Sequence, residues 1–137
     1  MHQRPGALEI LRRDGLGRPV GERAQRAGRI VGWLLRERGS AHDEKIVGVI
    51  LTKREWVGDL WVLREYRRQG IGSRLLAQGE AEIAARGQQT CRLRVVRSNA
   101  VAVQFYLRQG WQIAREFAHE KYDHAMLEMT KFLPQSL

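Results

Sequence analysis

A chain of 137 residues, 43% of them hydrophobic, is the size of one domain with a single core and little to spare. It holds no run of about 18 apolar residues that would argue a membrane helix, and its lone cysteine, Cys91, excludes an internal disulfide. Twenty-four Lys and Arg against fifteen Asp and Glu give a net +9, which favours anionic partners, but the charges are dispersed without a block, so nucleic acid is not singled out.

No repeat, low-complexity tract or linker interrupts the sequence, so residues 1–137 are expected to form one domain. The opening MHQRPGALEI lacks an apolar leader and a small-residue cleavage site. With the unpaired cysteine, this predicts a cytoplasmic, reducing setting. His2, His42, His119, His124 and Cys91 show no zinc spacing, so no metal site is expected.

In chain order, Ala7–Arg13 reads as a first strand, followed by the turn DGLGRPVG. From Glu22 to Arg38 the apolar residues Ala24, Ala27, Ile30, Val31, Leu34 and Leu35 fall at helical spacing, and charges fill the other face. This predicts a helix over 22–38. The alternative is a strand over Arg29–Leu35, kept open by IVGWLL and the interruptions at Gly28 and Gly32. After a loop at 39–44, Lys45–Leu51 and Glu55–Val62 are β-type runs joined by a short polar turn, most simply a hairpin. A helix follows with Leu75, Leu76, Gly79 and Ile83 on one stripe and Gly87 as its stop. Cys91–Val96 is the next strand. Ser98 or Asn99 then caps a helix whose Val101, Ala102 and Phe105 are expected to face inward, with Gly110 closing it. Trp111–His119 and His124–Phe132 complete the chain as a pair of strands. The order predicts a mixed α/β sheet with at least one right-handed crossover.

The junction EYRRQGIGSRLL, residues 65–76, puts glycines and arginines where a helix begins. The first N–H groups of a helix lack internal partners and the dipole there favours negative charge, so this is a natural anion site. Gly70 and Gly72 allow close backbone approach, while Arg67 and Arg68 add attraction for phosphate oxygens. A Walker P-loop fails for want of Gly-Lys, and the dinucleotide fingerprint fails because Leu75 stands at its third glycine.

What remains is R-x-x-G-x-G, Arg67-Arg68-Gln69-Gly70-Ile71-Gly72, inside DLWVLREYRRQGIGSRLL (59–76). It resembles the coenzyme-A pyrophosphate loop of the GNAT superfamily of N-acetyltransferases. A second stretch, LRVVRSNAVAVQFYLRQGW (93–111), resembles that family's later signature, with Asn99, Ala102, Phe105, Tyr106, Gly110 and Trp111 in its places. Trp111 stands where the usual aromatic is Phe. The resemblance spans roughly 45–130 and implies the acyl-CoA N-acyltransferase (GNAT) fold: α/β, a central mixed twisted sheet flanked by helices, here with a shortened N-terminal part.

The resemblance further implies acetyl-CoA as co-substrate and direct attack by a primary amine of a small molecule, peptide or protein. It implies that two parallel strands splay so that the pantetheine arm pairs with the backbone of Leu60, Trp61 and Val62. The loop Arg68, Gln69, Gly70, Ile71, Gly72 and Ser73 would seat the pyrophosphate with Arg67 nearby, and Asn99 would bond the pantetheine arm. Tyr106 would be the acid that protonates the leaving thiolate, and a backbone N–H such as that of Val62 would hold the oxyanion.

For the base, Asp59 and Glu116 rank first, with Glu55, Glu65 and Glu120 as further carboxylates and a water chain as the alternative. The C-terminal half looks most like bacterial enzymes that acetylate the N-terminal alanine of a ribosomal protein. Arg94 occupies the place of their base glutamate, and a guanidinium cannot act as a base near neutral pH. It suits instead an acidic acceptor group, if its side chain faces the cleft. The short front end implies an open acceptor cleft or one completed by a second subunit in a homodimer. The alternative function is a CoA-binding or basic nucleic-acid-binding module without catalysis.

Overall fold

The structure, a computed structural model, describes residues 8–14, 30–38 and 44–134. Strands β1 (Leu8–Asp14), β2 (Ile30–Arg38), β3 (Glu44–Lys53) and β4 (Trp56–Val62) run as an antiparallel meander. A 3-10 turn (Arg64–Tyr66) leads to helix α1 (Ile71–Ala85), then β5 (Thr90–Val96), helix α2 (Ala100–Arg108), β6 (Gln112–Ala118) and β7 (Ala125–Phe132). The sheet order is β1-β2-β3-β4-β5-β7-β6, with β4 and β5 parallel and the other neighbours antiparallel. This is the mixed α/β sheet the element order predicts.

The helix expected over 22–38 is corrected: Ile30–Arg38 is a strand, and residues 22–29 lie outside the described residues, as do most of the turn at 14–21 and most of the loop at 39–44. Ile30, Val31, Leu34 and Leu35 satisfy a helical spacing, but Val31, Trp33 and Leu35 equally satisfy the period of two. Pairing decides between them. β2 is laddered on both edges, Arg13↔Gly32↔Leu51 and Leu11↔Leu34↔Val49, so its backbone groups find partners that a local pattern cannot reveal.

The described helices both pack on one face of the sheet. Ile71, Leu75, Leu76, Gly79 and Ile83 of α1 are buried against Leu35, Ile50, Val57, Leu93 and Met129. Gly79 permits this approach, since a Cβ there would lie 2.6 Å from Ile50 Cδ1. Asn99 caps α2, its side chain accepting from the Ala102 N–H at 3.2 Å. Within α2 the expectation for Val101 is corrected: it is 82% exposed and Val103 is the buried residue. In so short a helix the buried stripe passes through Val103, with Ala102, Phe105 and Tyr106 at its flanks. Gly110, at φ 90, turns the chain so that Trp111 enters the core and donates from Nε1 to Glu80 at 3.3 Å.

One irregularity shapes everything that follows. β3 pairs with β4 as Ile50↔Leu60 and Thr52↔Val57, so Leu51 alone faces both Gly58 and Asp59. That extra residue is a β-bulge, which bends its strand and raises the local twist. Val57 before it and Leu60 and Val62 after it all join the core, whereas both bulge residues face outward. Beyond the bulge β4 leaves β5. The two strands share one paired position, Trp56↔Arg92, secured by the Arg92 N–H donating to Glu55 O at 2.8 Å.

Candidate active site

The turn into α1 presents a row of unused donors. Gly70 is the N-cap at φ 76 and ψ 7, with no side-chain cap, and the first helical bond is Arg74 N–H to Gly70 O at 3.0 Å. The backbone N–H groups from Arg68 through Ser73 have no acceptor among the described residues. Arg68 is also left-handed, at φ 66, a conformation that costs a non-glycine residue about 1 kcal/mol or more. Left-handed residues alternating with others turn successive N–H groups into one concavity, the geometry of an anion nest. Beside it, Arg67 Nε donates to Val62 O at 3.3 Å and Gln69 Nε2 to Glu65 O at 3.4 Å. The Ser73 hydroxyl accepts from Gln109 Nε2 at 2.9 Å. The side chains of Gln69 and Ser73 thus brace the turn, leaving their backbone amides and the exposed Arg68 to meet a ligand.

The second element is the gap between β4 and β5. Leu63 N–H donates to Val47 O at 2.8 Å, and in an antiparallel ladder alternate residues turn to the same neighbour. Trp61 therefore also points its backbone groups at β3, while Leu60 and Val62 point theirs toward β5. On the facing strand, Arg97 N–H donates to Ala125 O at 2.9 Å, so residues of that parity serve β7 and Arg94 and Val96 face the gap. With one paired position between the strands, Leu60 and Val62 oppose Arg94 and Val96 across an open wedge. Of the three strand residues expected to pair with a ligand, Leu60 and Val62 face the gap, Val62 with its carbonyl already accepting from Arg67 Nε, and the Trp61 backbone does not.

The loop, the wedge and α2 converge. A Cβ on Gly72 would lie 3.4 Å from Phe105 Cζ and 3.9 Å from Val62 Cγ2. Next to Phe105, Tyr106 packs its ring 5.3 Å from that of Phe105 and 6.0 Å from that of Trp111. Its hydroxyl makes no hydrogen bond among the described residues, and burial raises its pKa above the ordinary phenol value. Tyr106 is thus protonated at neutral pH and free to donate. The Asn99 Oδ1 is engaged in capping, which leaves its amide N–H₂ as the group available to a ligand.

The two leading carboxylates are not brought together. Asp59 sits on the bulge, exposed, lining a cavity of about 460 Å³ with Trp56, Gly58, Leu51 and Ile30. Glu116 pairs with Leu127 on β7, which pairs in turn with Val95 on β5; both are core residues, so Glu116 is on the helix-bearing face. It pairs with Arg97 at 2.5 Å. Glu65 is bound by Lys45 at 3.2 Å, and Glu120 lines a separate cavity with Arg94 and Phe117. The only cysteine is fully buried, and desolvation pushes its thiol up to about 12, so it is no nucleophile.

Three features escape a reading of the sequence. The bulge at Gly58–Asp59 is signalled there only by a glycine in a β-type run. Glu128, 7% exposed, is held by Arg92 at 3.6 Å and Arg115 at 3.4 Å. Trp56 forms a ring face for Arg94, 4.8 Å away. Among the described residues no cluster of His, Cys, Asp or Glu could hold a metal ion, and no helix is long and apolar enough to cross a membrane.

Residues 20–113 match the family profile of the acetyltransferase (GNAT) domain. No curated protein matches the sequence. Among solved structures, the ribosomal-protein-S18-alanine N-acetyltransferase from Escherichia coli superposes with a TM-score of 0.67 at 19% identity, over 95% of this chain and 96% of that one. A Bacillus anthracis protein in complex with acetyl coenzyme A gives 0.65 at 19% identity, over 85% of this chain and 65% of the other. The spermidine/spermine N-acetyltransferase SpeG from Vibrio cholerae gives 0.62 at 11% identity, over 76% and 65%.

Proposed function

The chain belongs to the GNAT acetyltransferase family, an acetyl-CoA-dependent N-acetyltransferase, and from that premise we propose how its own residues divide the work. The amides of Arg68, Gln69, Gly70, Ile71, Gly72 and Ser73, with Arg67 and Arg68, seat the pyrophosphate. The backbone groups of Leu60 pair with the pantetheine arm along the wedge, the Val62 carbonyl being held by Arg67, and the Asn99 amide holds the arm. Acetyl-CoA supplies a thioester whose acyl carbon a primary amine attacks directly. Tyr106 donates its proton to the sulfur as the bond breaks, and the Val62 N–H stabilises the oxyanion. Direct attack is supported by the inert, buried Cys91, which leaves no thiol to carry the acyl group. Of the two carboxylates, Asp59 is the better base: it is exposed on a cavity it shares with Trp56 and makes no ion pair among the described residues, whereas Glu116 is tied to Arg97. A reducing, cytoplasmic setting is part of this reading.

The observation that carries it is the run of unpaired amides from Arg68 to Ser73 beside a strand pair that has parted. Isothermal titration with acetyl-CoA and coenzyme A, with ATP as control, tests the seat. Both CoA species should bind, and Arg68→Glu should weaken them about tenfold, the scale of one charge-assisted contact. Tyr106→Phe should leave that affinity intact and lower kcat by about 100-fold, the scale of general acid catalysis. Binding without turnover on any amine would instead favour a CoA-binding module.

A further inference from the structure

The face of the sheet opposite the helices carries an arginine held ready and left unbound. Arg94 projects there from β5, because Leu93 and Val95 on either side of it enter the core. Its guanidinium carbon lies 4.8 Å from the ring centre of Trp56 on β4 and 5.5 Å from that of Phe117 on β6. Two aromatic faces fix the guanidinium and leave the N–H donors at its edge available. Glu128 stands directly across from Arg94 on β7, yet its carboxylate is taken by Arg92 and Arg115. Arg94 itself makes no hydrogen bond or ion pair among the described residues.

The place of this group matters as much as its state. Arg94 is two residues beyond Arg92, the last position at which β5 pairs with β4, so its backbone borders the wedge. Its side chain reaches back over Trp56. On one side it lines a cavity of about 300 Å³ with Phe117, His119, Glu120, Lys121 and Met126. On the other, Trp56 borders the cavity that contains Asp59. Trp56, the β4 residue at which the two strands still pair, thus has an oriented cation on one side and the cavity of an exposed carboxylate on the other.

We propose that Arg94 is the specificity-determining residue of the acceptor site and that the acceptor is a primary amine that also bears a side-chain carboxylate. This rests on the acetyltransferase reading above and narrows its substrate class. The carboxylate accepts the two edge donors of Arg94, and the amine is thereby directed to the wedge on the side of Asp59. Such an acceptor is either a free acidic amino acid or a peptide whose first or second residue is acidic; the chemistry recognised is the same.

The test is a paired acceptor panel with saturating acetyl-CoA and the full chain. The free pairs are glutamate with glutamine and aspartate with asparagine; the peptide pairs differ only by Glu or Gln at the first or second position. Wild type should favour the carboxylate of a pair in kcat/KM by about 10- to 100-fold, the range of a charge-assisted hydrogen-bonded contact. Whichever set shows the preference identifies the source. Arg94→Gln should bring the ratio to about one, through the acceptor KM, with acetyl-CoA affinity unchanged and Tm lower by only the few degrees that the two ring contacts are worth; Arg94→Lys should restore part of the ratio. Equal use of carboxylate and amide, an unchanged ratio in Arg94→Gln, or transfer to none of the carboxylates overturns the proposal. Acetyl-CoA titration and transfer to uncharged amines in the same samples show separately whether the acetyltransferase reading stands.

Discussion

Asn99 holds two jobs that a single substitution separates. Its Oδ1 accepts from the Ala102 N–H at 3.2 Å and caps α2, while its amide N–H₂ is the group assigned to the pantetheine arm. Asn99→Ala removes both. Losing an N-cap costs about 1 kcal/mol. At about 2.1 cal/mol/K per residue, unfolding entropy for a chain this long converts that to a Tm lower by about 3–4 °C. Asn99→Asp keeps an acceptor at the cap and adds a negative charge where the helix dipole welcomes it, so its Tm should equal or exceed that of wild type. Both variants lose the N–H₂ donor. A neutral hydrogen bond contributes about 1 kcal/mol, so the Kd for acetyl-CoA should rise about fivefold in each. Calorimetric melting and acetyl-CoA titration on the three proteins give the answer. An Asn99→Asp protein that binds acetyl-CoA like wild type refutes the ligand role and leaves a cap alone. An Asn99→Ala protein with an unchanged Tm refutes the cap.

Gly70 adopts φ 76 with open space around its missing Cβ, so Gly70→Val should cost about 1 kcal/mol from backbone strain but weaken acetyl-CoA binding well beyond that cost, by blocking approach to the amides. Equal affinity in titration would move the pyrophosphate seat elsewhere. Gly79→Val should lower stability by about 1–3 kcal/mol in denaturant melts, because a Cβ there already meets Ile50 Cδ1 at 2.6 Å and Thr52 Cγ2 at 3.3 Å. No loss would mean that α1 stands further from the sheet. The Cys91 thiol is pushed up to about 12 from an ordinary 9.0. Its contribution to stability is complete below about pH 9 and is lost as pH rises through 12, and a maleimide at pH 8 should label the protein only as it unfolds. Rapid labelling of the native protein would contradict the buried placement.

Local chemistry sufficed where a motif is local. The strand, glycine turn and helix over 56–85, and the Asn-capped helix that Gly110 ends, announce themselves through residues whose backbone demands are met within a few positions. The sequence by itself therefore determined these two motifs and the family they imply. It could not settle 30–38, because apolar spacing there fits both periods and only pairing with β1 and β3 chooses. Tertiary structure decided the rest. Two residues of β4 against one of β3 make the bulge that parts β4 from β5, and ladder parity turns Leu60 and Val62, but not Trp61, into the opening. It put Glu116 on the far face beside Arg97, and it left Arg94 between Trp56 and Phe117 with its nearest cross-strand carboxylate already taken. Each of these depends on which strand lies beside which, and adjacency across a sheet is a property of the folded chain that no window of sequence contains.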